Sequence, residues 1–226
     1  MELSKRLKMI ADMVNVRSVS DIGTDHGYLP IYLCITEKIE FALACDVNRG
    51  PLLRAQKNIQ EMGLEKRISP RLGNGLAPVK LGETEGLVLS GMGGMLMIEI
   101  LEREKEKAKN FQQIILQPQM DIPKVRMFLH GFGFWIVEEK MVEEDGKFYT
   151  AINAIPGGEA PYSEKEYYFG RYLLNHPEDA FVRYLEYRKG KLETILERLN
   201  AAGIDGGRRQ DVMQEYRMVK EVLEWI

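Results

Sequence analysis

The chain has 226 residues, 45% of them hydrophobic, and a formal net charge of −3, which is enough apolar material for one full domain with a smaller appendage. The charge excludes a general basic surplus for holding nucleic acid, since 20 basic and 21 acidic residues precede Gly158 and 11 and 13 follow from it; any phosphate contact must come from a local patch. No apolar run nears the roughly 20 residues of a bilayer span, and Cys34 and Cys45 lack CxxC or metal-ligand spacing, so a cytoplasmic protein with no membrane anchor and no metal site is expected.

Leu3, Leu7, Ile10, Ala11 and Val14 recur at helical spacing and predict an amphipathic opening helix packed on a sheet. The period then changes. Val16 to Ile22 reads as a first strand, followed by the Gly/Asp-rich loop Gly23 to Gly27 and a helix carrying Leu29, Ile31, Tyr32 and Leu33. A short apolar run from Phe41 to Cys45 stops at Asp46, and Pro51 to Met62 is helical in pattern. Ile68 to Leu72, Gly86 to Leu89 and Gln113 to Leu116 continue the strand series, with a helix from about Gly94 to Lys109 between the last two. Alternating strands and helices predict a parallel sheet. Asp121 is the expected N-cap of the next helix, with Pro123 in its first turn and an end near Gly131 or Gly133.

Phe134 to Val142 and Lys147 to Ile155 face each other across Glu144-Asp145-Gly146, where Asp-Gly signals a two-residue hairpin. A parallel sheet ending in an antiparallel pair is similar to the seven-stranded Rossmann-like sheet of class I methyltransferases, rather than to the all-parallel dehydrogenase sheet. Pro156, Gly157 and Gly158 read as a linker, so a catalytic domain over 1–157 and a helical domain over 158–226 are expected. The second opens with a capping-box pattern at Ser163 and Glu166. Phe181, Leu185, Arg188, Leu192, Ile195 and Leu199 then form a heptad-like stripe, and Val212, Tyr216, Val219, Leu223 and Ile226 a second. These predict a C-terminal α-helical coiled-coil hairpin.

The segment Asp21-Ile22-Gly23-Thr24-Asp25-His26-Gly27 lies where a first strand hands over to a helix, the place where doubly wound sheets bind nucleotide ligands. Its spacing is not GxGxxG. Asp25 stands where a diphosphate would approach; its carboxylate repels pyrophosphate but suits the cationic amino group of a methionine moiety, which points to S-adenosylmethionine rather than NAD. Asp46 ends the second strand at a spacing that suits hydrogen bonds from ribose hydroxyls. Asn74 and Gly75 follow the third strand, either as a plain turn or as a partner for the adenine amine with room for its ring. Ser90-Gly91-Met92-Gly93-Gly94 closes the fourth strand without the Pro-Pro motif of amino-group methyltransferases, so its small floor suits a ring nitrogen. Gln117 and Gln119 end the fifth strand as two amides at one rim, able to read the edge of a flipped adenine. Tyr28 either stacks on a base or covers the cofactor. His26 is a polar contact in the pocket or a turn-stabilising group.

Seven of the ten tyrosines lie in the C-terminal segment, interleaved with Arg183, Arg188, Lys189 and Lys191. Such interleaving suits RNA, and equally a solvated helical face.

Together DIGTDHGYLP, ACDVN, LGNGL, LSGMGG and LQPQ, followed by the helical C-terminal segment, resemble the bacterial tRNA (adenine(22)-N1)-methyltransferase family over the whole chain. The resemblance implies a Rossmann-like catalytic domain, a coiled-coil domain that engages tRNA, and methylation of N1 of adenine 22. It implies cofactor contacts at Gly23, Asp25, His26, Asp46, Asn74, Gly75 and Gly91, to which the loop reading adds Asp21 and Gly27. Tyr28, Met92, Gln117 and Gln119 are the expected base pocket. The rival reading is a methyltransferase acting on a protein or small metabolite, with the helical hairpin as a lid or dimer element; an NAD-dependent oxidoreductase is disfavoured by Asp25, and a binding module without turnover by the intact glycine and acidic positions.

Overall fold

Apolar runs bounded by glycine- and aspartate-rich turns give seven strands that pair in the order β3-β2-β1-β4-β5-β7-β6. The strands are β1 (Ser18–Ile22), β2 (Phe41–Asp46), β3 (Ile68–Leu72), β4 (Gly86–Met92), β5 (Gln113–Pro118), β6 (Phe134–Glu144) and β7 (Lys147–Pro156) in this computed structural model, which describes residues 1–226. The first five pair in parallel, and β7 runs antiparallel to both β5 and β6. The hairpin forms as the sequence predicts: Asp145 and Gly146 both take positive φ, 51° and 69°, the pair of left-handed residues that a tight turn between twisted strands requires.

The helices α1 (Lys5–Met13), α2 (Tyr28–Ile35), α3 (Arg49–Glu61), α4 (Gly94–Arg103), α5 (Lys105–Ala108) and α6 (Ile122–Phe132) cover the sheet. The opening helix starts at Ser4, whose hydroxyl accepts from the Leu7 amide, and buries Met9, Ile10, Ala11 and Met13. Two local expectations are corrected. The single helix expected from Gly94 to Lys109 breaks at Glu104, which leaves helical geometry at φ −114° and ψ 42°. Asp121 holds the expected N-cap position of α6, its carbonyl accepting from the Val125 amide at 3.1 Å, but its side chain makes no capping bond: it sits in the left-handed region at φ 59°, and its carboxylate pairs with Lys124 at 2.9 Å.

The chain divides into two units, Met1–Pro161 and Tyr162–Ile226. In the second, the capping box at Ser163 and Glu166 is complete and opens α7 (Glu164–Phe169), followed by α8 (Arg171–Asn175), α9 (Asp179–Ala201) and α10 (Gly207–Trp225). Arg209 near the start of α10 reaches Asn200 near the end of α9, while Glu215 and Tyr216 farther along α10 reach back to Arg188 and Glu193, so α9 and α10 lie antiparallel. The buried stripe departs from the expected heptad: Leu196 is buried where Ile195 was expected, and Val222 where Leu223 was expected. No helix is long and apolar enough to cross a membrane.

Candidate functional site

At the carboxyl end of β1 the loop 23–27 folds back over the end of β2. The Gly23 and Thr24 amides both donate to the Cys45 carbonyl, at 2.8 and 3.0 Å, and the Gly27 amide donates to the Thr24 carbonyl at 2.9 Å. Gly23 takes φ +78°, a region that a side chain enters only with strain. A Cβ there would also stand 3.1 Å from the Met92 methyl, so the two strand ends approach closely at that point.

Asp21, one residue before the end of β1, lies beneath the loop and is 3% exposed. Thr24 Oγ1 donates to its Oδ2 at 2.7 Å. Burial pushes its carboxyl up to about 6, against the lowering effect of the Thr24 hydrogen bond and with a further raising contribution from Asp46. The acid is therefore held in a setting that favours a nearby cation. Asp25 takes φ 52°, and its carboxylate lies at the mouth, 3.5 Å from His26 Nε2. The His26 ring stacks on Tyr28, with centroids 5.2 Å apart and planes within 6°.

Asp46 ends β2 and accepts backbone bonds with both oxygens, from Asp25 at 3.1 Å and from Asn48 at 2.8 Å. It thereby ties the β1 loop to the start of α3. An ionised carboxylate has about four lone-pair sites, so two remain for a ligand's hydroxyls.

A cavity of about 470 Å³ opens at these strand ends, with Asp21, Gly23, Asp25, His26, Tyr28 and Gly91 in its wall. Six of the sequence-expected positions are thus brought to one place. Asp46 touches that wall only through the Asp25 amide, and Asn74 stands apart: its side-chain oxygen accepts from Arg103 Nη2 at 3.2 Å. A Cβ on Gly75 would meet the same guanidinium at 2.9 Å, so Gly75 clears space for Arg103.

The two glutamines expected at one rim are separated. Gln119 is exposed, and its backbone amide donates to the Met92 carbonyl at 3.0 Å. Gln117 is fully buried, and its Oε1 accepts from Arg6 Nη1 at 3.0 Å and from the Gly91 amide at 3.2 Å. Sequence reasoning missed Arg6. With Glu2, Leu3, Ser4 and Leu7 it forms the N-terminal wall of the cavity; the one signal was a cationic side chain on a helix read only for its apolar face.

In the second unit, Arg188 is bound to Glu215 across α9 and α10, an ion pair that holds the helices together. That placement engages its guanidinium in the helix pair, while its side chain stays 32% exposed. Lys189 lies 3.9 Å from Glu193. Lys191 Nζ sits 4.6 Å from the centroid of the exposed Tyr187 ring, and Arg183 is exposed on the same helix.

The methyltransferase domain family matches residues 3–152. The chain is 30% identical to the tRNA (adenine(22)-N(1))-methyltransferase of Bacillus subtilis (strain 168), over 99% of its own length and 98% of that protein. Among solved structures, a Streptococcus pneumoniae protein described as a candidate tRNA (m1A22) methyltransferase, in complex with S-adenosyl-L-methionine, superposes with a TM-score of 0.89 at 34% identity, covering 98% of this chain and 100% of that one. The M. capricolum protein TrmK in complex with S-adenosyl-homocysteine gives a TM-score of 0.86 at 28% identity, covering 99% of each chain.

Proposed function

Because the chain belongs to the methyltransferase domain family and, within it, to the tRNA (adenine(22)-N(1))-methyltransferases, we propose that it methylates N1 of adenine 22 in tRNA with S-adenosylmethionine as donor. The observation that carries this reading is the cavity where the buried Asp21, the Gly23 turn and the Gly91 corner meet. Its chemistry fits that cofactor. Asp21 and Asp25 give an anionic side to a cationic amino group, Gly23 leaves room for close backbone approach, and Asp46 keeps lone pairs for ribose hydroxyls. Asn74 and Gly75, with Arg103 beside them, border the adenine end. His26 and Gly27 shape the loop, His26 by stacking on Tyr28.

When bound, S-adenosylmethionine supplies a sulfonium methyl group that the lone pair of adenine N1 accepts. N1 carries no proton to remove, so no general base is demanded of this chain. What the residues provide is orientation and a site with little water. The adenine ring becomes cationic as N1 gains the methyl and the sulfonium loses its charge, so the positive charge moves from cofactor to base; Asp25 holds the cofactor and takes no proton. Tyr28 is 43% exposed and offers a ring face to the incoming base. Met92 packs over Gly23. N1 is buried in a paired duplex, so the target nucleotide must be unpaired or turned out of its stack.

The unit from Tyr162 to Ile226 engages tRNA in this reading. Arg183, Tyr187, Lys191 and Arg198 recur at four, four and seven residues along α9, which at about 100° per residue places them on one face, away from the buried Phe181, Leu185, Leu192, Leu196 and Leu199. A local basic stripe resolves the absence of a global surplus. The place of such an enzyme is the cytoplasm, where tRNA is modified and where Cys34 and Cys45, both buried and free, stay reduced.

The test is transfer of labelled methyl from S-adenosylmethionine to unmodified tRNA transcripts, with digestion to nucleosides. Label in 1-methyladenosine supports the reading. Cofactor binding with label found only in protein or in small molecules moves it to the rival substrate class.

A further inference from the structure

The corner of the cavity wall formed by Gly91 is held by two side chains that the reaction scheme above does not use, Gln117 buried behind it and Arg6 beside it in the wall. In the β4–β5 ladder Ser90 pairs with Gln117 and Met92 with Pro118, so Gly91 is skipped at a bulge. A bulge leaves the extra residue outside the ladder and bends its strand. Here the orphaned amide has a side-chain partner: Gly91 N–H donates to Gln117 Oε1 at 3.2 Å. The same oxygen accepts from Arg6 Nη1 at 3.0 Å, and the Arg6 guanidinium lies 5.8 Å from the centroid of the Tyr149 ring on β7. Gly91 itself takes φ +76°, and a Cβ there would stand 3.3 Å from Arg6 Nη1.

Three elements, α1, β4 and β5, therefore meet at one carboxamide oxygen that is wholly shielded from water, with β7 touching the guanidinium through Tyr149. Gln117 is 0% exposed, and its amide nitrogen reaches only the neighbouring Pro118 carbonyl, at 3.4 Å. The charge-assisted bond from Arg6 fixes the rotamer of the carboxamide, so that its oxygen stays turned toward the Gly91 amide.

Resting on the function proposed above, we infer that Arg6 and Gln117 are a positioning pair for methyl transfer, in which the Gln117 oxygen, held by Arg6, fixes the Gly91 corner and docks α1 as a wall of the cavity. Neither side chain acts on the transferred group. Gln117 acts through the Gly91 backbone and Arg6 acts through Gln117. A shift of about 1 Å in such a corner is enough to lower turnover by about 100-fold.

The test compares Arg6→Ala, Gln117→Ala, the double variant and Gln117→Glu, whose carboxylate still accepts from both donors. Each single alanine variant is expected to lower kcat on tRNA about 30- to 100-fold, and in Gln117→Ala, whose side chain lies outside the cavity wall, the Kd for S-adenosylhomocysteine moves less than about threefold. The double variant is expected to be no slower than the slower single, and Gln117→Glu to recover most of the lost kcat. Amide exchange at Gly91, followed without substrate, should accelerate in both alanine variants and return in Gln117→Glu. The inference is overturned by kcat near the unaltered value in either single variant, by losses that multiply in the double, by a joint fall of kcat, cofactor affinity and melting temperature that Gln117→Glu does not rescue, or by unchanged exchange at Gly91. Exchange is read independently of turnover. Failure of the unaltered protein to methylate tRNA would therefore count against the function and not against the hold on Gly91.

Discussion

Replacing Asp46 by Asn tests how the loop after β1 is built. Both carboxylate oxygens accept backbone amides, from Asp25 and Asn48, and an amide side chain has only one oxygen to offer. In either orientation Asp46→Asn turns its NH2 toward one of the two N–H donors and leaves that donor unpaired. A hydrogen bond to a charged group contributes about 1.5–3 kcal/mol and a buried unpaired N–H costs about 1–3. A net loss of about 2–3 kcal/mol follows, which for a chain of this size lowers Tm by about 4–10 °C. Removing the charge also weakens the bonds from ribose hydroxyls, so the Kd for S-adenosylhomocysteine should rise about 10- to 100-fold. Thermal melting and titration calorimetry read the two effects separately. A Tm within about 1 °C of the unaltered protein with a Kd within about twofold would refute the account of Asp46, because the expected energies exceed such errors several-fold.

Asp21 makes stability depend on pH. In the unfolded chain it ionises near 3.8 and in the folded protein near 6, so between those values the folded state binds more protons. The contribution of Asp21 to stability is then fully present below 3.8 and is lost as pH rises through about 6, by at most about 3 kcal/mol; urea melts of the protein and of Asp21→Asn should diverge over that window, and parallel profiles would contradict the assignment. Glu139 and Arg126, each 1% exposed, form an ion pair at 2.7 Å. Glu139→Ala leaves the guanidinium buried without that charge and should cost about 3–5 kcal/mol in urea unfolding, while Arg126→Met with Glu139→Met recovers much of it. On α9, Arg183→Glu and Lys191→Glu should each weaken tRNA binding and reduce the slope of log affinity against log salt by about one or more. Arg188→Ala should instead lower Tm, since its guanidinium holds Glu215; filter binding across a salt series separates the two behaviours.

The strand-helix order, the Asp-Gly hairpin and the capping box at Ser163 were legible because each depends on neighbours in sequence. So was the loop at the end of β1, whose glycines and acids are placed by spacing alone. What escaped was set by distant partners. Gln117 reads as a rim amide until the bulge at Gly91 supplies an unpaired N–H for it to accept. Arg6 reads as the polar face of an amphipathic helix until β5 brings Gln117 to it. Arg188 reads as a basic residue available to RNA until α10 brings Glu215 to its side. The shift from Ile195 and Leu223 to Leu196 and Val222 has a related origin: a pattern with a period near 3.5 allows more than one seam, and the antiparallel partner selects between them.

Primer extension on a tRNA transcript treated with the protein and S-adenosylmethionine reads the proposed methylation itself, because a methyl on adenine N1 blocks the pairing edge and halts the polymerase. The account predicts a cofactor-dependent stop at position 22 that disappears when guanine replaces that adenine in the transcript. No stop, or a stop at another position that survives the replacement, would contradict it.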